Sequence, residues 1–464
     1  MLYLTPSRFY ARLTLASVTI LCATGSTSAS SDAPSSSEFR RRSDHGSVVV
    51  GDFVYIEGGR IRSLNHNNDA RAPVNKTLAI DLRQSWTNET VQFIETSKGD
   101  SPALTYPSLW PDGNGSFYMW AGAAATSART PALGLWKFTT DGDGGGGGGG
   151  SGEWAQQSPR NATEFNQLTR PVAGYSGVVA GAGFYLGGQG TTYTDDVEFE
   201  GVDTHAAVPV PGLVSYNFTT RAWRNASAQA FSTHGTQTLG RAAGVPFGAG
   251  GLLVALGGQK GSRTSTASTI GFLDFGVVDV YDPAASSWHK QAATGDVPSP
   301  RVAFCMAGAQ GRNGSYELFV FGGARRNDGE AYSDVYVLSL PAFRWFKGQD
   351  ADAPRFFHSC EVVGNRQLLS IGGFNDNDNT SARYSGVDPW KQGLGVFDMT
   401  ELEWSDGYRA DALVYESPQV VKDWYNEGNG QPEMSDDVKS LFVKEEHQSI
   451  SILKARKGSS IANA

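Results

Sequence analysis

One word order recurs along this chain and limits its fold more than any other feature. An apolar run ends in two glycines, a polar loop follows, then a run of alternating polarity, then a tryptophan. "FVYIEGGR", "GFYLGGQG", "LLVALGGQ", "YELFVFGGARR" and "RQLLSIGGF" open five copies, and "SFYMWAGA" opens a degenerate sixth with Ala121–Gly122 in place of the twin glycine. The closing tryptophans are Trp86, Trp154, Trp223, Trp288, Trp345 and Trp404, spaced 57 to 69 residues apart. Each unit offers four short strands: an inner one, the apolar run, the alternating run and the tryptophan strand. One such sheet cannot bury both its faces. Stacking several around an axis buries both and shelters the edges. The expectation is an all-β propeller of six four-stranded blades, or seven if residues 408–426 add another. Each tryptophan is expected to pack against the next blade.

Seven consecutive glycines, Gly144–Gly150, at first suggest a tether between domains. The repeat argues otherwise. "WKFTT" (Trp136–Thr140) matches "YNFTT" (Tyr216–Thr220), but the first needs eleven more residues to reach its tryptophan. The run is therefore an insertion within one repeat, a loop at 141–152. Lengthening a loop costs little entropy.

The whole pattern resembles the kelch repeat, over roughly Ser43–Trp404. "RRSDHGSVVVGDFVYIEGG", "RFFHSCEVVGNRQLLSIGG" and "GVFDMTELEW" are similar to exported kelch-repeat proteins of filamentous fungi. The resemblance implies a propeller over residues 43–425, with a linker at 30–42. In that family a membrane span often follows. Residues 426–464 read instead as a polar, disordered tail, so no membrane span is expected.

Residues 1–29 have the form of an export signal: Arg8 and Arg12, the apolar Leu13–Ala23, then small residues. Eight N-x-S/T sequons, at Asn75, Asn88, Asn114, Asn161, Asn217, Asn225, Asn313 and Asn379, fit a secreted or cell-surface glycoprotein. The net charge of −9 disfavours nucleic acid as a partner. Cys305 and Cys360 remain once Cys22 leaves with the signal, either as one disulfide or as two buried thiols.

Reaction chemistry is harder to find. Galactose oxidase also carries kelch-type blades, and that resemblance would imply a copper site of two tyrosines and two histidines, one supplied by a further β domain. The histidines here are scattered without metal-ligand spacing, and the segment after Tyr425 is short. No nucleophile elbow, P-loop or dinucleotide fingerprint occurs. No catalytic residue, metal or cofactor is assigned. Arg42, Arg170, Arg241, Arg301 and Arg355 each stand just before or at the start of an inner strand, with His45 and His358 three residues after two of them. A rotational repeat would place these arginines in a ring able to hold carboxylates or an acidic peptide. The alternative is that they bond loop carbonyls and serve assembly. The expected function is a monomeric, non-catalytic module binding a protein or glycan, the alternative being a carbohydrate-active or galactose-oxidase-like enzyme acting at the channel mouth.

Overall fold

Six copies of the repeat become six antiparallel sheets. The computed structural model describes residues 33–442 except 65–73, 125–129, 143–147, 197, 201–206, 229–235, 262–270, 326–329, 376–385 and 430–433. The proposed signal, Asn379 and the end of the tail lie outside the described residues. Blade 1 comprises Gly46–Val50, Phe53–Glu57, Lys76–Asp81 and Ile94–Ser97. Blade 2 comprises Ser108–Pro111, Ser116–Trp120, Leu135–Thr140 and Gly152–Gln157. Blade 3 follows with Tyr175–Val179, Ala182–Leu186, Leu213–Asn217 and Trp223–Ala226. Blade 4 has Arg241–Val245, Leu252–Leu256, Val277–Asp282 and Ser287–Ala292. Blade 5 has Cys305–Gln310, Tyr316–Phe321, Val335–Leu340 and Arg344–Lys347, with Thr294–Gly295 added in parallel at its edge. Blade 6 has Ser359–Val363, Gln367–Ile371, Leu394–Asp398 and Glu403–Ser405. Each inner strand packs against its two neighbours, and the first packs against the sixth. The ring is a six-bladed propeller.

The core lies in the seams between blades. Along Tyr316–Phe321, alternate side chains point to opposite faces. Leu318 and Val320 therefore enter the seam with blade 4, while Phe319 and Phe321 enter the seam with blade 6. Four further clusters fill the remaining seams. The twin glycines knit the blades together. Gly322 and Gly323 have φ of 66° and 98°. A Cβ on Gly322 would lie 2.2 Å from the carbonyl oxygen of Arg355 in the next blade. That close approach lets the Gly323 amide donate to the same oxygen at 2.8 Å. The bond recurs around the ring, onto Leu104, Pro171, Gln237, Arg301 and, from Gly373, onto Arg42. Ala121 holds the first glycine's place in blade 2, at φ 63°.

Three expectations need correction. The tryptophans pack backwards, against the preceding blade: Trp345 Nε1 donates to Phe275 O of blade 4, and Trp154 Nε1 to Thr77 Oγ1 of blade 1. The supposed linker holds a strand, Phe39–Ser43, paired with Arg60–Ser63. Its Arg41 reaches Gly373 O and Asn375 Oδ1 of blade 6, which helps close the ring. Finally, the tail is not wholly disordered. Its helix Asp436–Phe442 buries Val438 and Phe442 against blades 4 and 5, with Phe442 beside Phe247 and Phe343. Met434 and Leu441 pack against the same cluster. Thr140 and Gly152, on either side of the glycine-rich insertion, pair on adjacent strands of blade 2, and residues 143–147 of the insertion lie outside the described residues.

Candidate functional site

Two residues before each inner strand the chain turns left-handed. Asp44, Tyr106, Ala173, Leu239, Ala303 and Phe357 all have φ between 53° and 62°. Their backbones link from blade to blade: Tyr106 N donates to Asp44 O, Leu239 N to Ala173 O, Ala303 N to Leu239 O and Phe357 N to Ala303 O. None is glycine, so the neighbouring structure must over-determine this conformation. The result is a collar at one mouth of the channel. The Tyr106 and Phe357 rings meet there, with centroids 5.9 Å apart. Behind the collar lies a cavity of about 230 Å³ whose wall includes His45, Ser47, Arg241, His358, Ser359 and Glu361.

The five arginines do not form one ring of free cations. Arg301 grips Asp334 with two guanidinium nitrogens, donates to Gly322 O at 3.1 Å and stacks 4.0 Å over Tyr332. Arg355 does the same with Asp388, at 2.7 and 3.0 Å, with Gly372 O and with Trp390. Arg170 donates to the carbonyls of Thr194, Ala132 and Pro131. Arg42 is fully buried, 5.5 Å from the Phe93 ring. Arg301 and Arg355 brace loops through bidentate pairs, which the guanidinium fork favours, and Arg170 braces them through carbonyls. Arg241 differs in register. It is the first residue of its inner strand, whereas Arg42, Arg301 and Arg355 stand four residues upstream of theirs; Gln237 occupies that position in blade 4. Among the described residues it is the one arginine lining the cavity. Among the described residues its hydrogen bonds go to backbone carbonyls, Gly240 O at 3.1 Å and His358 O at 3.5 Å. Burial pulls its pKa down to about 10, with Tyr185 and Tyr175 opposing the shift, so it stays charged at neutral pH.

The polar wall beside it has distinct chemistry. His45 Nε2 lies 2.9 Å from Ser359 Oγ, a spacing that would suit a base and its nucleophile. Burial, and then the charge of Arg42, hold this imidazole at about 3. So weak a base does not activate a hydroxyl at neutral pH. Burial also keeps His358 well below the ordinary histidine range, helped by Arg355 and Arg241. Glu361 accepts a bond from Ser47 Oγ at 2.8 Å. Burial raises its carboxyl to about 7 despite that bond. Cys305 and Cys360 are joined as a disulfide between blades 5 and 6, with Cα atoms 5.5 Å apart. Sequence reading missed Ser47, Ser359 and Glu361. Aligning the inner strands position by position would have shown Glu361 third, where other blades carry Val48, Trp110 or Ala243, and Ser47 second, where others carry Leu109, Ala242 or Met306.

The described sequons divide by exposure. Asn75, Asn114, Asn225 and Asn313 are exposed, while Asn88, Asn161 and Asn217 are partly buried. Asn161 clasps the Trp223 backbone, donating to its carbonyl at 2.7 Å and accepting from its amide at 2.8 Å. Asn88 Nδ2 donates to Leu394 O from a cleft of about 370 Å³ at the blade 5–6 rim.

Comparison with known proteins agrees with this architecture. The KLHDC2/KLHL20/DRC7 Kelch-repeats domain family matches residues 249–410, which lie in blades 4 to 6. A kelch repeat-containing protein of Arthroderma benhamiae is 26% identical over 407 residues, covering 78% of this chain and 56% of the relative. The chain thus spans little more than half the length of that relative. Shorter similarities reach a Kelch domain-containing protein 10 homolog of Drosophila melanogaster, 28% identical over 120 residues (25% of this chain, 18% of the relative). They also reach an F-box/kelch-repeat protein of Arabidopsis thaliana, 24% identical over 128 residues (28% of each chain). Twin-glycine blades, their interblade bonds and these matches together support a kelch β-propeller.

Proposed function

We propose that this protein is an exported, non-catalytic binding module whose channel mouth takes an acidic group of a partner protein. The observation that carries this reading is the split among the arginines. Arg301 and Arg355 spend their charge on Asp334 and Asp388, while Arg241 faces the cavity with carbonyl partners alone. A half-buried guanidinium facing a cavity without a carboxylate partner attracts one. The four exposed sequons and the signal-like start support export to a secreted or cell-surface location. Among the described residues no helix is long and apolar enough to cross a membrane.

A second reading has one observation in its favour. Glu361, held near 7, could donate a proton in glycoside chemistry. Such chemistry uses two carboxyl groups, and Glu361 is the one carboxylate among the described cavity-lining residues. The binding reading therefore fits better. The test is to probe the purified protein with acidic peptides, their Glu→Gln and Asp→Asn counterparts, and a glycan array. Binding that needs the carboxylate and is lost in Arg241→Ala supports the proposal. Binding to neutral glycans alone, unaffected by Arg241→Ala, overturns it.

A further inference from the structure

The channel wall also holds a cluster that the binding reading does not use. Cys305 Sγ, Cys360 Sγ and a ring nitrogen of His358 lie within 4.8 Å of one another, and all three residues are buried. Cys305 begins the inner strand of blade 5, and Cys360 is second in that of blade 6, directly after His358 and Ser359. His358 is 2% exposed, and the Phe321 backbone is the hydrogen-bonding group that acts on its ring, which leaves a ring nitrogen for another partner. The cavity reaches all three side chains. A buried imidazole with one nitrogen to spare beside two sulfurs is the donor set of a thiophilic cation.

We propose that Cys305, Cys360 and His358 form a redox-gated zinc site, closed while the two sulfurs are bonded and opened by reduction. The opening step balances. A dithiol supplies two electrons and is itself oxidised to a disulfide. The Cys305–Cys360 S–S bond breaks, and each sulfur takes one proton. When Zn²⁺ enters, both S–H protons leave to solvent, and two S–Zn bonds and one N–Zn bond form. The fourth position falls to solvent or to a ligand from the channel. The charge balance is favourable. Arg241 and Arg355 lie close enough to act on His358, and nearby guanidinium groups favour thiolates. Two thiolates then neutralise the metal, so it brings no net charge towards those arginines. In an oxidising compartment the disulfide persists as a cross-link between blades. In a reducing one the same residues become a metal site.

The test uses the full chain, oxidised and then reduced with a phosphine, which leaves as its oxide with the oxygen of water. Each form is titrated anaerobically with Co²⁺ and then Zn²⁺. The reduced protein is expected to take one Co²⁺, showing thiolate charge-transfer and tetrahedral ligand-field bands that Zn²⁺ abolishes. Zn²⁺ is also expected to protect both cysteines from alkylation, as read by peptide mass spectrometry. The oxidised protein is expected to take none. Cys360→Ser should lose the charge-transfer bands at any reductant level, and X-ray absorption of the zinc form should show two sulfurs and an imidazole. Equal uptake before and after reduction, no uptake after reduction, or a zinc shell without imidazole each overturns the proposal. The comparison of oxidised with reduced wild type needs no variant to fold.

Discussion

Tyr408 closes the propeller by pairing with Trp86. Gly407 and Tyr408 form a two-residue antiparallel ladder with Trp86 and Thr87, and the two rings stack with centroids 5.3 Å apart. Tyr408 Oη donates to Leu82 O at 2.8 Å. Trp86 of the first blade thereby packs against the last, in the same backward sense in which Trp154 and Trp345 grip their predecessors. Tyr408→Ala should cost about 3–4 kcal/mol in equilibrium denaturation, as for a buried aromatic truncated to alanine. Tyr408→Phe, which loses one hydrogen bond, should cost about 1 kcal/mol.

Glu361 gives the channel a pH signature. Its carboxyl titrates near 7 in the folded protein, above its ordinary value of 4.5. The folded state therefore holds more protons than the unfolded state between these values, and stability falls as pH rises through that window. Glu361→Gln fixes the neutral form. The variant should match wild type near pH 4.5 and exceed it by on the order of 2 kcal/mol above pH 7. His45 acts in the opposite sense. Its lowered pKa makes stability fall as pH drops from 6.5 towards 3, in variant and wild type alike. The difference between the two melting curves across pH isolates Glu361.

A second buried carboxylate clasps the segment that follows blade 6. Glu317 Oε2 accepts from Tyr415 Oη at 3.0 Å and Ser417 Oγ at 3.1 Å, while Oε1 accepts from Ser339 Oγ. Next along the chain, the helix Gln419–Trp424 seats Val421 and Trp424 in the seam of blades 5 and 6. Glu317→Ala should loosen this strap before it unfolds the ring. Limited proteolysis should cut within 410–429 faster than in wild type, with the melting of the remaining propeller reduced by about 1–3 kcal/mol.

If the chain is exported, its sequons should not be used equally. Glycopeptide mass spectrometry of protein secreted from a eukaryotic host should find Asn75, Asn114, Asn225 and Asn313 occupied. Asn161 should be the least occupied of the described sites, because its partly buried amide is held at both ends, donating to the Trp223 carbonyl and accepting from its amide. Absence of protein from the medium, or full use of Asn161 with its clasp intact, would contradict this expectation.

The blades were legible because their physics is local. Two glycines in the left-handed region, an apolar run and a tryptophan each leave a mark in sequence. Ring closure left almost none: a ladder of two residue pairs at Tyr408–Trp86 and a strand inside the supposed linker are too short to show periodicity. The arginines show a subtler failure. Standing "before or at the start" of a strand spans four residues, enough to separate Arg241, on the cavity wall, from Arg301 and Arg355, braced against aspartates. Glu361 and Ser47 meet only because blades 6 and 1 are neighbours in the closed ring, and no local pattern encodes that adjacency.

The division of labour among the arginines is the central claim, and one paired measurement tests it. Arg241→Ala and Arg355→Ala are melted side by side and then titrated with the best acidic peptide. Arg355→Ala leaves Asp388 buried and unpaired, so it should lose about 3–5 kcal/mol. Arg241→Ala should melt close to wild type and lose the peptide. If instead Arg241→Ala melts as low as Arg355→Ala, or keeps its peptide affinity, Arg241 is one more structural brace and the channel mouth is not the binding site.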